Sequence, residues 1–222
     1  MIAKSLFFIV LLAFGCSEIL PQSDTAAYLK NPNYKYELEF YKIYKKKRAD
    51  VVLLGNSITH GVNWNELLGR DNVVERGIPS DNLEGILNRL EFVVSLKPKL
   101  CLIKAGINDI YSWIPVETVF ANYKKVMEEL KKNNIRVIVQ STLYVSQKYT
   151  AASDRNNEVK KLNVLLEDYC RQNGLDFIDL NAKLSRSFAL KDELTHDGVH
   201  LNAGGYKLWG EEVNKILLKY GY

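Results

Sequence analysis

Five short apolar runs recur along the chain: "ADVVLL" from Ala49, "NVVERGI" from Asn72, "KLCLIKAG" from Lys99, "IRVIVQST" from Ile135 and "LDFIDL" from Leu175. Each has the length and continuous hydrophobicity of a strand buried on both faces. Between them the spacing of apolar residues changes to that of a helix. In "SDNLEGILNRLEFVVSL", Leu83, Ile86, Leu87, Leu90, Val93 and Val94 share one face, with Ser80 or Asp81 as N-cap. "PVETVFANYKKVMEELKKNN" opens on proline and closes on an asparagine pair, which predicts a helix with both ends marked. "NNEVKKLNVLLEDYCRQNG" and "AGGYKLWGEEVNKILLKY" read the same way, and "WNELLG" as a short helical turn. Strands alternating with amphipathic helices predict a three-layer α/β fold, flavodoxin-like, with a five-stranded parallel sheet and helices on both faces. In "VVLLGNSITHG", Gly55 breaks the first run and is expected to turn the chain sharply out of the strand.

Composition adds little to this and removes several alternatives. The 222 residues are 47% hydrophobic and 25% charged, a globular balance with a formal charge of only +4. The dense basic run Lys45–Arg48 ends a segment in which Tyr36, Phe40, Ile43 and Tyr44 fall at helical spacing. It predicts a helix packed by that stripe, with a basic C-terminus that complements the helix dipole. No stacking platform or reading motif accompanies the run, so nucleic acid is not an expected partner. At the start, Lys4 precedes the ten-residue apolar run "SLFFIVLLAF", which ends in Gly15 and Cys16. That run is shorter than the roughly 20 residues of a membrane span. It resembles a bacterial lipoprotein signal over residues 1–15, with Cys16 as the lipidated residue and the cell envelope as destination. Residues 16–48 are then a lead-in with its amphipathic helix, and 49–222 the main domain. Cys101 and Cys170 read as buried small apolar residues. No CxxC, His/Cys cluster or HExxH is present, and no metal or organic cofactor is expected.

In a doubly wound sheet, ligands bind beyond the carboxyl ends of the strands. The polar residues there are Asn56 and Ser57 after the first run, Gly77 after the second, and Gly106, Asn108 and Asp109 after the third. "THDGVHLN", before the last helix, adds Asp197 and His200. A serine hydroxyl needs a base to become a nucleophile, and an imidazole needs an acceptor to fix its tautomer; Ser57, His200 and Asp197 supply all three. A tetrahedral intermediate needs hydrogen-bond donors, which the N–H groups of Ser57 and Gly77 and the side-chain amide of Asn108 could provide. His60 and His196 are assigned no role. Tyr111 and Trp113 are either a stacking wall for a sugar or packing residues.

These blocks resemble those of the SGNH hydrolases, or GDSL-type esterases. "GNSIT" is similar to the first block, with Ser57 as nucleophile; "RGI" to the second, with Gly77; "GIND" to the third, with Gly106 and Asn108; and "DGVH" to the last, with Asp197 and His200. The likeness runs from about Val51 to Trp209. It is strongest to the branch related to the platelet-activating-factor acetylhydrolase catalytic subunit, which includes bacterial enzymes that remove acetyl groups from sugars. Two positions differ from the family pattern. Asn56 stands where aspartate is usual, and "STLYVSQ" lacks the usual proline after the fourth strand. The resemblance implies cofactor-free ester hydrolysis through an acyl-enzyme, with a small-molecule or carbohydrate ester, most simply an acetyl ester, as substrate. A lysophospholipase or thioesterase with a longer acyl pocket, and a catalytically silent glycan-binding surface protein, are the competing readings.

Overall fold

All five apolar runs pair side by side. In the computed structural model, which describes residues 26–222, they form strands β1 (Val51–Asn56), β2 (Val73–Ile78), β3 (Leu100–Lys104), β4 (Arg136–Gln140) and β5 (Asp176–Ile178). The strands are parallel, in the order β2-β1-β3-β4-β5. Every residue of β1 and β3 is buried, as a strand covered on both faces requires. The chain leaves β1 for β2 on one side and returns to pair β3 on the other. This order reverses between β1 and β3, where the loops after the two strands part and leave a crevice. The expected signal at 1–15 and Cys16 lie outside the described residues.

Ten helices surround the sheet among the described residues: α1 (Pro32–Ile43), α2 (Ser57–His60), α3 (Trp64–Leu68), α4 (Leu83–Asn88), α5 (Glu91–Val94), α6 (Ile107–Tyr111), α7 (Val116–Lys132), α8 (Ala152–Asn173), α9 (Asn181–Leu184) and α10 (Ala203–Lys219). They pack in two groups: α7 touches α4, α6 and α8, whereas α3 packs against α10. Trp64 of α3 and Trp209 of α10 meet edge to face, 4.7 Å between ring centres. Their N–H groups donate to the Thr59 carbonyl (2.8 Å) and to Gln140 Oε1 (2.6 Å). Two large rings are therefore buried with their polar atoms satisfied, and the turn after β1 is tied to the second helix layer.

Three local expectations change. Gly55 does not turn the chain: β1 continues through it to Asn56. A Cβ there would overlap Thr59 Oγ1 and the Lys104 carbonyl, so the glycine serves close approach rather than a bend. The single helix expected from residue 80 is two short ones. Ser80 has φ of 62°, and Asn82 is the N-cap, accepting from Gly85 N–H at 2.8 Å. The helix breaks at Arg89, whose buried guanidinium donates to Asp81 Oδ2 (2.7 Å), the Gly55 carbonyl (2.9 Å) and the Arg76 carbonyl (3.0 Å). The third change is in α1, which does not pack by Tyr36, Phe40, Ile43 and Tyr44. Tyr34 and Tyr41 are its buried residues, while Tyr36, Ile43 and Tyr44 are exposed. The Tyr34 and Tyr41 hydroxyls donate to the carbonyls of Gly85 and Gly77, both at 3.0 Å. Polar tips that reach backbone acceptors decide which face packs, and helical spacing of apolar residues does not report them.

Candidate active site

Ser57 is the first residue of α2, directly beyond β1. Asn56, fully buried, caps this helix by accepting from Ile58 N–H at 3.1 Å. At the first helical position the Ser57 N–H has no partner within the helix. The Asn56 side-chain Nδ2 is buried without an acceptor among the described residues. The oxygen of the usual aspartate is kept, and an orphaned donor replaces its charge. Tyr206 of α10 donates to the Ile58 carbonyl at 2.8 Å and so fixes α2 from the opposite side.

His200 reaches Ser57 from 143 positions along the chain, Nε2 to Oγ 2.9 Å. Its Nδ1 lies 2.5 Å from Asp197 Oδ2. The other oxygen of Asp197 accepts from the N–H groups of Val199 (2.9 Å) and His200 (2.7 Å), which closes a tight turn around the carboxylate. Partial burial pushes the Asp197 carboxyl up, but the His200 ring and these two N–H groups outweigh it and hold the group at about 2. Gly198, at φ 92°, makes the turn possible. Thr195 Oγ1 fastens the turn from below, donating to the His200 carbonyl at 2.6 Å and accepting from Gly198 N–H at 2.9 Å. Ser146 N–H donates to the Gly198 carbonyl at 2.8 Å and joins the turn to the segment after β4.

The strand register brings the other expected residues to adjoining ends: Gly55 pairs with Gly77 on one side and Lys104 on the other. Asn108 lies in α6, entered through Gly106 at φ 98°, where a Cβ would come within 2.8 Å of Leu162. One hydrogen of the Asn108 amide goes to the Asp81 carbonyl at 2.7 Å, which orients the second. Gly77 differs from expectation. Its N–H donates to the carboxylate of Glu75, so this donor is not free in the structure. A Cβ at Gly77 would lie 2.6 Å from the Asn56 carbonyl and 2.7 Å from His60 N, which restricts the position to glycine. Glu75 also faces His60 at 3.7 Å. The hydrogen bond to Glu75 raises the His60 pKa, against the opposing effect of partial burial. Neither residue stood out in the sequence, although alternation along β2 puts positions 75 and 77 on one face.

Tyr111 and Trp113, open in the sequence between a sugar wall and packing residues, belong to a larger cluster that includes Tyr149 and Arg155. Tyr111 stacks on Tyr149 at 5.4 Å, and the Arg155 guanidinium lies 4.9, 5.2 and 5.7 Å from the ring centres of Tyr111, Trp113 and Tyr149. His196 stacks beside His200, ring centres 5.9 Å apart, with Nε2 3.7 Å from Asp197 Oδ2. Ligating atoms of His196, Asp197 and His200 fall within 4.8 Å of one another. A metal ion there would have to displace hydrogen bonds that already occupy both ring nitrogens of His200. Chemically, the line Asp197–His200–Ser57 can move a proton off a hydroxyl that stands at the mouth of a crevice.

Comparison with known proteins agrees with this chemistry. The model of the GDSL-like Lipase/Acylhydrolase family matches residues 53–208. A GDSL-like lipase from Bacteroides thetaiotaomicron is 27% identical, with a TM-score of 0.74 over 85% of this chain and 98% of that one. A lipase/acylhydrolase from Enterococcus faecalis, 24% identical with a TM-score of 0.68 over 78% and 96% of the two chains, shares the fold. Among curated proteins, an N-acylneuraminate cytidylyltransferase from Streptococcus agalactiae serotype III is 26% identical over 191 residues, 83% of this chain and 44% of that protein. The chain therefore spans less than half the length of that relative. With a family match over most of its length, and a hydroxyl, imidazole and carboxylate in line at the sheet edge, the chain belongs to the GDSL-like lipase/acylhydrolase family.

Proposed function

We propose that the protein is a serine esterase that removes short acyl groups, acetyl foremost, from carbohydrate. The observation that carries this is the unbroken line from Ser57 Oγ through His200 to Asp197, 2.9 Å and 2.5 Å per step. His200 takes the Ser57 proton as Oγ attacks the ester carbonyl. Asp197 holds the ring in one tautomer and stabilises the imidazolium. The oxyanion is met by the N–H groups of Ser57 and Gly77 and the free hydrogen of the Asn108 amide; Glu75 must release Gly77 for that donor to act. The alcohol leaves with the proton from His200, and water repeats the sequence to release the acid.

Two observations support a sugar rather than a long-chain lipid. The recess beside Asp197, about 270 Å³, is lined by Ser146, Lys148, Asp192, Thr195, His196 and Gly198, a polar wall suited to a hydroxylated alcohol. The curated relative is named for an acylated sugar, N-acylneuraminate. The lipoprotein-type signal and Cys16 extend the reading to a bacterial cell envelope, with lipid attached at Cys16. A Cys16→Ser chain that still partitions into detergent and still takes up radiolabelled palmitate would remove that extension.

The test is hydrolysis of 4-nitrophenyl acetate, butyrate and octanoate, with Ser57→Ala alongside. Turnover that falls steeply with chain length and disappears in the variant is expected. A rate that increases towards octanoate would favour the lysophospholipase or thioesterase reading. Equal rates in variant and parent would remove Ser57 from the mechanism.

A further inference from the structure

The aromatic cluster beside the candidate site holds a cation without a counter-charge. Arg155, half-buried at the start of α8, has no carboxylate within ion-pair distance among the described residues. Only the Thr150 carbonyl accepts from it, at 2.5 Å to Nη1. Its Nε is buried with no acceptor, and so is the hydroxyl of Tyr111 against which the guanidinium lies. Two of the few orphaned side-chain polar atoms among the described residues therefore sit in one cluster. Unmet donors of this kind are costly, and a guanidinium without a counter-charge suits an acceptor that arrives with a ligand.

The cluster is joined to the reacting groups from both sides. Tyr111 is in α6, one turn beyond Asn108. Tyr149 packs over the turn that carries Asp197 and His200: a Cβ at Gly198 would lie 3.6 Å from Tyr149 Cβ. Trp113, 56% exposed at φ 56°, holds its ring at the open side of the cluster. Nη2, the guanidinium nitrogen that neither bonds Thr150 nor is buried, is the atom that a carboxylate can reach. Aromatic rings beside such an atom suit the apolar face of a sugar ring.

We infer that Arg155, with Tyr111 and Trp113, binds the carboxylate and ring of an acidic sugar, so that the preferred substrate is an acyl ester of a uronic-acid-type or other carboxylated carbohydrate. This rests on the esterase reading above and specifies the alcohol side of the same site. Arg155 selects substrate and takes no part in the bond changes at Ser57.

The test measures kcat and KM separately for mono-O-acetyl glucuronate and mono-O-acetyl glucose, which differ only in the carboxylate, at pH 7 and low salt. The parent protein is expected to favour the glucuronate ester in kcat/KM by about tenfold or more, the scale of one charge-assisted contact. Arg155→Gln is expected to abolish the ratio by raising KM for the glucuronate, and Arg155→Lys to restore part of it. Because the ratio is taken within each variant, any general loss of folded protein cancels. A parent ratio near one, or a ratio unchanged in Arg155→Gln, overturns the inference while leaving the esterase reading intact. A parent inactive on both sugar esters and on 4-nitrophenyl acetate overturns the esterase reading first.

Discussion

Glu75 accepts the hydrogen bond of Gly77 N–H from two positions earlier on the same edge strand. The donor that the proposed mechanism needs at the oxyanion is thus occupied by a negative charge. The Glu75 side chain is partly open to solvent, and His60 lies across from it at 3.7 Å, so the carboxylate can turn away towards water or towards the imidazole. Either movement frees Gly77, and until it happens the carboxylate repels the charge that develops in the transition state. Glu75→Ala is therefore expected to raise kcat/KM for 4-nitrophenyl acetate, and a tenfold rise would correspond to about 1.4 kcal/mol of barrier. A tenfold fall would mean that Glu75 braces the end of β2 and that Gly77 is not the donor.

The Asp197 carboxylate, held at about 2, is ionised throughout the range in which an esterase is assayed. Its contribution should be independent of pH. Asp197→Asn is expected to lower kcat by roughly 10²- to 10⁴-fold, as loss of the correct imidazole tautomer does in comparable hydrolases. The loss should be the same at pH 6 and pH 9. A loss that shrinks towards either end would show that stabilising the imidazolium, more than orienting the ring, carries the effect.

These two residues also mark how far the sequence could be read. Ser57 and Asn108 were legible as candidates because strand ends are legible: apolar runs stop there, and polar residues follow. Asp197 and His200, in the segment before the last helix, were legible from their three-residue spacing and from the resemblance of "DGVH". The layer order was legible from the same alternation. Side chains that act on backbone atoms were not. Tyr41 on the Gly77 carbonyl, Glu75 on the Gly77 N–H and Arg89 on the Gly55 carbonyl have hydrophobic-pattern values that say nothing of their partners. Each changed a local expectation, whether the packing face of α1, the freedom of Gly77 or the continuity of the helix from residue 80. Gly55 was legible as a constraint but not as to kind, since close approach and turning both require a missing Cβ.

Asp109, next to Asn108, is buried, and burial pushes its carboxyl up to about 7 against the hydrogen bond from Leu83 N–H. An unfolded aspartate titrates near ~3.9. Between these values the folded chain binds the proton that the unfolded chain has lost. The contribution is therefore complete below about pH 4 and is lost as pH rises through about 7. Asp109→Asn keeps an acceptor oxygen for Leu83 and cannot ionise. It is expected to melt near the parent temperature at pH 4.5 and higher by roughly 4 °C or more at pH 8. Thermal melts at the two pH values decide this, and a variant that is less stable at pH 8 would show that the ionised carboxylate is required there.

Lys104 reverses that sign. It ends β3 inside the core, 1% exposed, with its ammonium 5.4 Å from the centre of the Trp209 ring. Burial lowers its pKa to about 7, far below the ~10.4 of an unfolded lysine. Between these values the unfolded chain holds a proton that the folded chain lacks, so stability increases with pH across the interval. Below about pH 7 the lysine is charged in both states and the cost of burying the ammonium is at its greatest. Lys104→Met keeps the length of the side chain and removes the charge. It is expected to raise the melting temperature by roughly 4 °C or more at pH 6, with the gap narrowing as pH rises from 7.5 to 9.5. A constant gap would place the effect in packing against Trp209. A variant that melts lower than the parent at every pH would mean that the cation–ring contact outweighs the cost of burial.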